Sequence, residues 1–403
     1  MTARLSRPAA RPRAAAGRLL VIGALYLVSN IGYSFFVLTV GTILLERDVP
    51  MGTVAVVNLL GGVYFGRFLL APVLDRFGTY RAWLVSTQVG LVGVLVAVAA
   101  LDPVRHLPAL MVLMTVVLVL SAFHDTALGG LTVRLLPATQ HGMANGVQIA
   151  SASASILIGS SGALLLYAHV GWTATLLALA AVFVLPLAVL ARLTEPEAPR
   201  TEPPQAPWRE LAGFFRRPHM TVWTLLVIPL YGIGDWLATA PQAALLLSAG
   251  WPMDRVASAR SLATAVQIAA ALVTGAAIAR YGRSRSALVI GLLGVVAVAA
   301  LLPAATGTAA TAPTTAALVA GAIVYGAKLT WISTVCMNLA RRSSAATDYT
   351  VPMSIEGICV TLTGSAALGL ASAIGFPGLL TTAALLAAAG TAVACTWTRR
   401  HAP

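Results

Sequence analysis

Gly66-Arg67-Phe68-Leu69-Leu70-Ala71-Pro72-Val73-Leu74-Asp75-Arg76-Phe77-Gly78-Thr79-Tyr80-Arg81 closes an apolar run with a short turn of Asp, Arg, an aromatic residue, Gly and a further Arg. The turn returns in degraded form as Gly275-Ala276-Ala277-Ile278-Ala279-Arg280-Tyr281-Gly282-Arg283-Ser284-Arg285. An offset of 204 positions carries Arg76, Gly78 and Arg81 onto Arg280, Gly282 and Arg285, and Asp75 onto Ala279. Two copies half a chain apart predict a duplicated helical bundle with one mobile seam.

The residues around these turns fix the class. The chain is 58% hydrophobic and 10% charged, far from the balance of a soluble domain. A helix crossing a bilayer needs about 20 apolar residues. Twelve segments qualify: 19–45, 53–74, 82–101, 108–130, 143–167, 172–193, 221–247, 256–279, 286–303, 314–340, 348–370 and 378–397. Lipid offers no partner to backbone polar groups, so unbroken apolar spans must be helices. The expected fold is all-α, with twelve transmembrane helices in two six-helix bundles. The expected organisation is a basic N-terminus (1–18), a first bundle (19–193), a linker (194–220), a second bundle (221–397) and a short tail (398–403).

A net charge of +13 invites a nucleic-acid reading, which the distribution excludes. With the N-terminus placed inside, Arg4, Arg7, Arg11, Arg13 and Arg18 precede the first segment. Arg76, Arg81, Arg134, Arg192, Arg200, Arg209, Arg216, Arg217, Arg280, Arg283, Arg285, Arg341, Arg342, Arg399 and Arg400 all fall on the same side. Only Arg47, Arg105 and Arg255 fall on the other, and Arg67, Arg260 and Lys328 lie within segments. This is the positive-inside asymmetry of a multi-pass inner-membrane or plasma-membrane protein with both termini cytoplasmic. The basic excess is topology, so the partner is the lipid bilayer and no nucleic acid is implied.

The apolar stretch behind the N-terminal Arg/Ala/Pro run is too long for a cleaved leader and lacks a small-residue cleavage site. Cys336, Cys359 and Cys395 lie in predicted spans, an odd count without ligand or disulfide spacing. No metal and no cofactor are expected. There is no phosphate-binding loop and no nucleophile–base constellation, so the chain is not read as an enzyme. The linker opens with a Pro- and Glu-rich part, 194–207, expected to be flexible. It continues as Trp208-Arg209-Glu210-Leu211-Ala212-Gly213-Phe214-Phe215-Arg216-Arg217, expected to be a short interfacial helix.

Charges within the spans need explaining, since each costs about 2.5–3.5 kcal/mol mid-membrane on insertion scales. Asp125 with His124 lies in the fourth segment, Asp235 in the seventh, Lys328 (the only lysine) in the tenth and Glu356 in the eleventh. Asn30 and Tyr33 in the first segment could complete a polar lining. A desolvated carboxylate holds a proton readily unless a cation lies close, which is the property proton coupling requires. Asp235 is the leading candidate, and a static Asp235–Lys328 pair is the competing reading. His124 reads either as a relay or as a hydrogen-bonding neighbour of Asp125. Arg67 and Arg260 are expected to snorkel toward the nearest interface. Gly159 and Gly162, with Ser160 and Ser161 between them, are expected to serve close helix packing.

Six plus six helices, a long central loop and the duplicated turn resemble the major facilitator superfamily. The resemblance implies a central cavity lined mainly by segments 1, 4, 7 and 10, opened alternately by rocking of the halves. It implies that Asp75, Arg76, Gly78 and Arg81 form a conformational lock, Asp75 capping or pairing with neighbouring helix ends. The copy at Arg280, Gly282 and Arg285 would be weaker, since it lacks the acid. Plain positive-inside anchoring is the alternative for these arginines. Four further stretches narrow the resemblance: Arg67–Pro72, Ala82-Trp83-Leu84-Val85-Ser86-Thr87-Gln88, Ser121–Asp125 with Gly142-Met143-Ala144-Asn145-Gly146-Val147-Gln148, and Leu230-Tyr231-Gly232-Ile233-Gly234-Asp235. They are similar to the branch holding muropeptide permeases of the AmpG type, acetyl-coenzyme A transporters and importers of siderophores such as rhizobactin and pyochelin. The Asn145–Gln148 run looks most like the siderophore importers. That branch carries a second acid where Gly129 or Gly130 stands, a Gly-Tyr-Arg where Ser151-Ala152-Ser153 stands, and a Lys where Gly232 stands. Segment 5 lacks the glycine-proline motif of drug/proton antiporters. The expected function is a proton-driven secondary transporter, acting as a monomer on a small-molecule substrate. Uptake of a siderophore or peptide-like metabolite is the first reading and export of a secondary metabolite or drug the alternative.

Overall fold

Every long apolar run folds as helix, which satisfies its backbone hydrogen bonds internally as lipid demands. The computed structural model describes residues 12–196, 207–308 and 310–401. In order they form α1 (Gly17–Glu46), α2 (Met51–Arg76), α3 (Tyr80–Ala99) and α4 (Leu107–Leu135). The run Ala138–Arg192 is two helices, α5 and α6, meeting at Gly171, whose φ is 75°. A linker helix, Pro207–Phe215, precedes α7 (Pro218–Ser248), α8 (Met253–Tyr281), α9 (Arg283–Ala305) and α10 (Thr311–Leu339). The run Ala345–His401 divides at Gly375, φ 71°, into α11 and α12. Twelve spans result, six on each side of the linker, and the even count puts both described ends and the linker on one face, here the terminal face.

Several helices outrun the apolar segments: α5 starts at Ala138, α9 at Arg283 and α11 at Ala345. Their first turns carry His141, Arg283 or Asp348, polar residues that end a hydropathy window without ending a helix. The duplicated turn is duplicated in backbone as well as sequence. Gly78 and Gly282 have φ of 71° and 82°, a conformation glycine adopts without steric cost. In each copy the arginine lies over the following ring, Arg76 over Phe77 at 6.0 Å and Arg280 over Tyr281 at 5.7 Å. Thr79 caps α3, accepting from the Ala82 amide at 3.1 Å.

The halves meet along α5 and α8, where glycines replace side chains. A Cβ on Gly142 would stand 2.9 Å from the Gly275 carbonyl oxygen, and one on Gly146 2.7 Å from that of Ala271. This is the close approach that small residues four apart permit in membrane helices. Gly159 brings α5 equally close to α1, 2.6 Å from the Ile31 oxygen, and Thr39 Oγ1 donates to its carbonyl at 2.9 Å. Three π-turns, Phe35–Thr39, Ile158–Gly162 and Trp223–Val227, break the regular register of α1, α5 and α7.

Most of the stretch expected to be flexible lies outside the described residues, and its described start is anchored. The Glu195 side chain, in the stretch expected to be flexible, is buried, accepts from the Arg81 amide at 2.8 Å and pairs with Arg134 at 3.0 Å. The linker forms the expected short helix, Pro207–Phe215, and one face of it packs inward. Phe214 is fully buried against Met220 and Val351, with Phe68 and Leu339 beside them, so the helix touches both halves. Residues 1–11 of the basic N-terminus, the Arg13 side chain, residues 197–206 with Arg200, and the last two tail residues lie outside the described residues.

Candidate functional site

Two ion pairs, one per half, lie within the spans; the pair in the second half is buried and the pair in the first half is half-buried. Asp235 on α7 and Lys328 on α10 each lie 17 residues past the start of their helix (218 to 235, 311 to 328). The two helices have similar lengths, 31 and 29 residues, so both side chains sit near mid-depth. The side chains are ion-paired, with the residues 5% and 3% exposed. Lys328 also donates to the Tyr231 carbonyl at 2.8 Å and stands 4.5 Å from the centre of the Tyr231 ring. Space for the pair comes from Gly294 on α9, where a Cβ would lie 3.0 Å from Asp235 Oδ1 and 3.3 Å from Lys328 Nζ. Nothing in the sequence marked Gly294.

In the first half, Asp125 on α4 pairs with Arg67 on α2. The expectation that Arg67 snorkels is corrected: a partner at depth costs less than dragging the side chain to the interface. Arg67 also donates to the Tyr64 hydroxyl at 3.1 Å and lies over its ring at 4.9 Å. Tyr33 of α1 packs on the same ring, centroids 4.6 Å apart. Asn30 donates to its neighbour Ser29 at 3.1 Å. His124 takes no part in this cluster's hydrogen bonds: it is fully buried and neither ring nitrogen has a hydrogen-bond partner. It is not hydrogen-bonded to Asp125.

Glu356 on α11 is the odd carboxylate. It is 7% exposed and, among the described residues, has neither hydrogen bond nor ion pair. It lines a small cavity together with Asp235, Lys328, Tyr325, Trp236 and Gly232. The Arg67 guanidinium lies within electrostatic reach of it from the other half.

The terminal face of the seam is sealed around Asp75. Its carboxylate accepts from the amides of Ala346 (3.0 Å) and Thr347 (2.8 Å), from Thr347 Oγ1 (2.6 Å) and from the Tyr80 hydroxyl. Asp75 of the first half thus caps the first turn of α11 in the second, where unpaired amides and the helix dipole favour an anion. The Ala346 amide also donates to Tyr80 at 3.0 Å, and the Arg134 guanidinium lies 4.1 Å from the Tyr80 ring. Arg134 reaches across to the Arg342 carbonyl at 3.1 Å. Arg81 stays within its own half, donating to the carbonyls of Leu190 (2.7 Å) and Ala191 (3.2 Å) at the end of α6. Deeper along the seam, His141 bonds Asn338 at 2.7 Å, Tyr349 donates to Gln148 at 2.9 Å, and Gln267 donates to Ser153 at 3.2 Å. Asp348, unnoticed in the sequence, is fully buried under Arg217 (2.5 Å) and Arg341 (2.8 Å). Those bonds hold the Arg341 guanidinium in its charged form.

Where the resembling branch has a second acid (Gly129 or Gly130 here) and a lysine (Gly232 here), aromatic rings occupy the space. A Cβ on Gly129 would strike Tyr349 at 2.6 Å, one on Gly130 Tyr80 at 2.5 Å, and one on Gly232 Trp236 at 2.2 Å.

Two six-helix bundles around a charged central cavity, closed at one face by cross-seam hydrogen bonds, define a secondary membrane transporter. The model of the Major Facilitator Superfamily matches residues 19–351, and the chain belongs to that family. It is 27% identical over 272 residues to the anhydromuropeptide permease of Escherichia coli K12, covering 64% of this chain. The chain spans about half, 55%, of that relative's length. In fold it is similar to the human organic anion transporter MFSD10 (TM-score 0.75, 12% identity, 96% of this chain and 100% of that one). It is also similar to the fucose:proton symporter of E. coli (TM-score 0.73, 14% identity, 97% and 100%).

Proposed function

We propose that this protein is a proton-coupled importer of a polar, peptide-bearing solute of the anhydromuropeptide kind. It acts as a monomer in the plasma membrane with the terminal face cytoplasmic. The observation that carries the reading is the cavity at mid-depth, bounded by Asp235, Lys328 and Glu356 and shut off from the terminal face by the Asp75 cap. Alternating access needs such a site between halves that rock about it. A solute as large as a sugar-peptide enters as the halves part.

The solute class follows the similarity to the permease rather than the siderophore importers. The Asn145–Gln148 run that suggested siderophores packs the seam here. Asn145 donates to the His141 carbonyl at 2.8 Å, Gly146 lies against α8, and Gln148 accepts from Tyr349. Those residues serve helix contact and carry no information about the solute. Radiolabelled anhydromuropeptide, offered to vesicles of the purified protein with acid outside, tests the reading. Accumulation against the gradient is expected. Extrusion from loaded vesicles without accumulation would make the protein an exporter and sink the proposal.

A further inference from the structure

Glu356 and Arg67 lie on helices, α11 and α2, that pack together across the seam, and Arg67 keeps a buried donor without a partner. Glu356 lines the cavity with no hydrogen bond or ion pair among the described residues. Arg67 spends one nitrogen on Asp125 and Tyr64, while its Nε, equally buried, has no partner. The helices that carry them touch at this level. Phe65 of α2 lies against Gly357 of α11, where a Cβ would stand 3.0 Å from its ring. A carboxylate buried without a cation partner and an unsatisfied buried N–H are each costly, and such groups call for a reason, of which a functional role is one.

The other charged and titratable groups around Glu356 are accounted for. Lys328 is taken by Asp235 and the Tyr231 carbonyl. Asp125 is taken by Arg67. Tyr325, Cys336 and Cys359 lie within electrostatic range but offer no positive charge. Among the described residues Arg67, though paired with Asp125, keeps its buried Nε without a partner and can answer an ionised Glu356.

We infer that Glu356 is the carboxylate that carries the proton, and that Arg67 is its counter-charge across the seam. Ionised, Glu356 attracts Arg67 and draws α11 to α2, adding to the Asp75 cap that closes the terminal face. A proton arriving from the opposite side forms one O–H bond on Glu356, cancels the attraction and lets the seam part. Loss of the same proton to the terminal side restores the attraction and resets the closed state. Asp235, tied to Lys328, is then a fixed part of the cavity wall. The inference rests on the reading of the chain as a proton-coupled transporter.

Two experiments test it. Dicyclohexylcarbodiimide attacks protonated carboxyls in apolar surroundings. With wild-type protein in detergent, peptide mapping should place the label on Glu356, with labelling falling as pH rises. In the double variant Arg67→Gln/Asp125→Asn, labelling should persist to more alkaline pH. Label that misses Glu356, or that favours Asp235 or Asp125, overturns the inference. In vesicles, Glu356→Gln should lose uphill uptake of anhydromuropeptide while exchange across the membrane remains measurable; normal uphill uptake by this variant also overturns it. If the wild type neither exchanges nor accumulates the solute, the transport reading fails. The labelling, which needs no solute, still decides the role of Glu356.

Discussion

Replacing Asp75 by Asn should open the terminal face without unfolding the protein. The carboxylate accepts four hydrogen bonds, three of them from Ala346 and Thr347 of the opposite half. An amide keeps an acceptor oxygen but turns an NH2 toward groups that themselves donate. Hydrogen bonds to a charged group contribute roughly 1.5–3 kcal/mol each, and an anion at a helix N-terminus about 0.3–2 kcal/mol more. Because the partners are across the seam, the loss falls on the closed conformer, so it shifts a conformational ratio and not the folding equilibrium. A loss of about 2 kcal/mol, the low end, changes that ratio about thirtyfold. Spin labels at Phe77 and Tyr281, both exposed and one in each half, report the separation once the three cysteines are replaced. The wild type should give one short distance, and Asp75→Asn should add a longer component. The mirror substitution Ala279→Asp, at an exposed position, should leave the distribution as it was. A distribution unchanged by Asp75→Asn would refute the cap as a lock.

Asp235→Asn should cost about 3–5 kcal/mol in stability, since it strands a buried cation, and Lys328→Met in the same chain should recover most of it. Thermal melting of the single and double variants in detergent checks this; a single variant as stable as the wild type would contradict it. Gly275→Ala should weaken the α5–α8 contact, because its Cβ would stand 2.6 Å from the Gly142 carbonyl oxygen. The same spin-label pair should then show a longer component.

The fold was legible because lipid imposes length and hydropathy on every span, and because arginines mark one side. The duplicated turn was legible because a positive-φ glycine and a stacked arginine are local requirements, met within a few residues. Pairings were not. Arg67 looks like an interfacial arginine until α4 brings Asp125, 58 positions away in sequence, against it. Gly294 and Gly129 matter for the side chains they admit from other helices, which no local pattern encodes. Glu195 sits in a Pro- and Glu-rich stretch whose composition reads as flexible, yet Arg81 and Arg134 pin it. Glu356 was visible as a charge in an apolar segment. That it lacks a partner among the described residues while Asp235 has one is a property of packing alone.

The most direct measurement is of proton movement itself. Vesicles of the purified protein are loaded with a pH-sensitive dye at equal pH inside and out, and anhydromuropeptide is added outside. The account predicts acidification of the lumen that depends on the solute and is absent in Glu356→Gln. Solute uptake with no accompanying proton, or alkalinisation of the lumen, would contradict it.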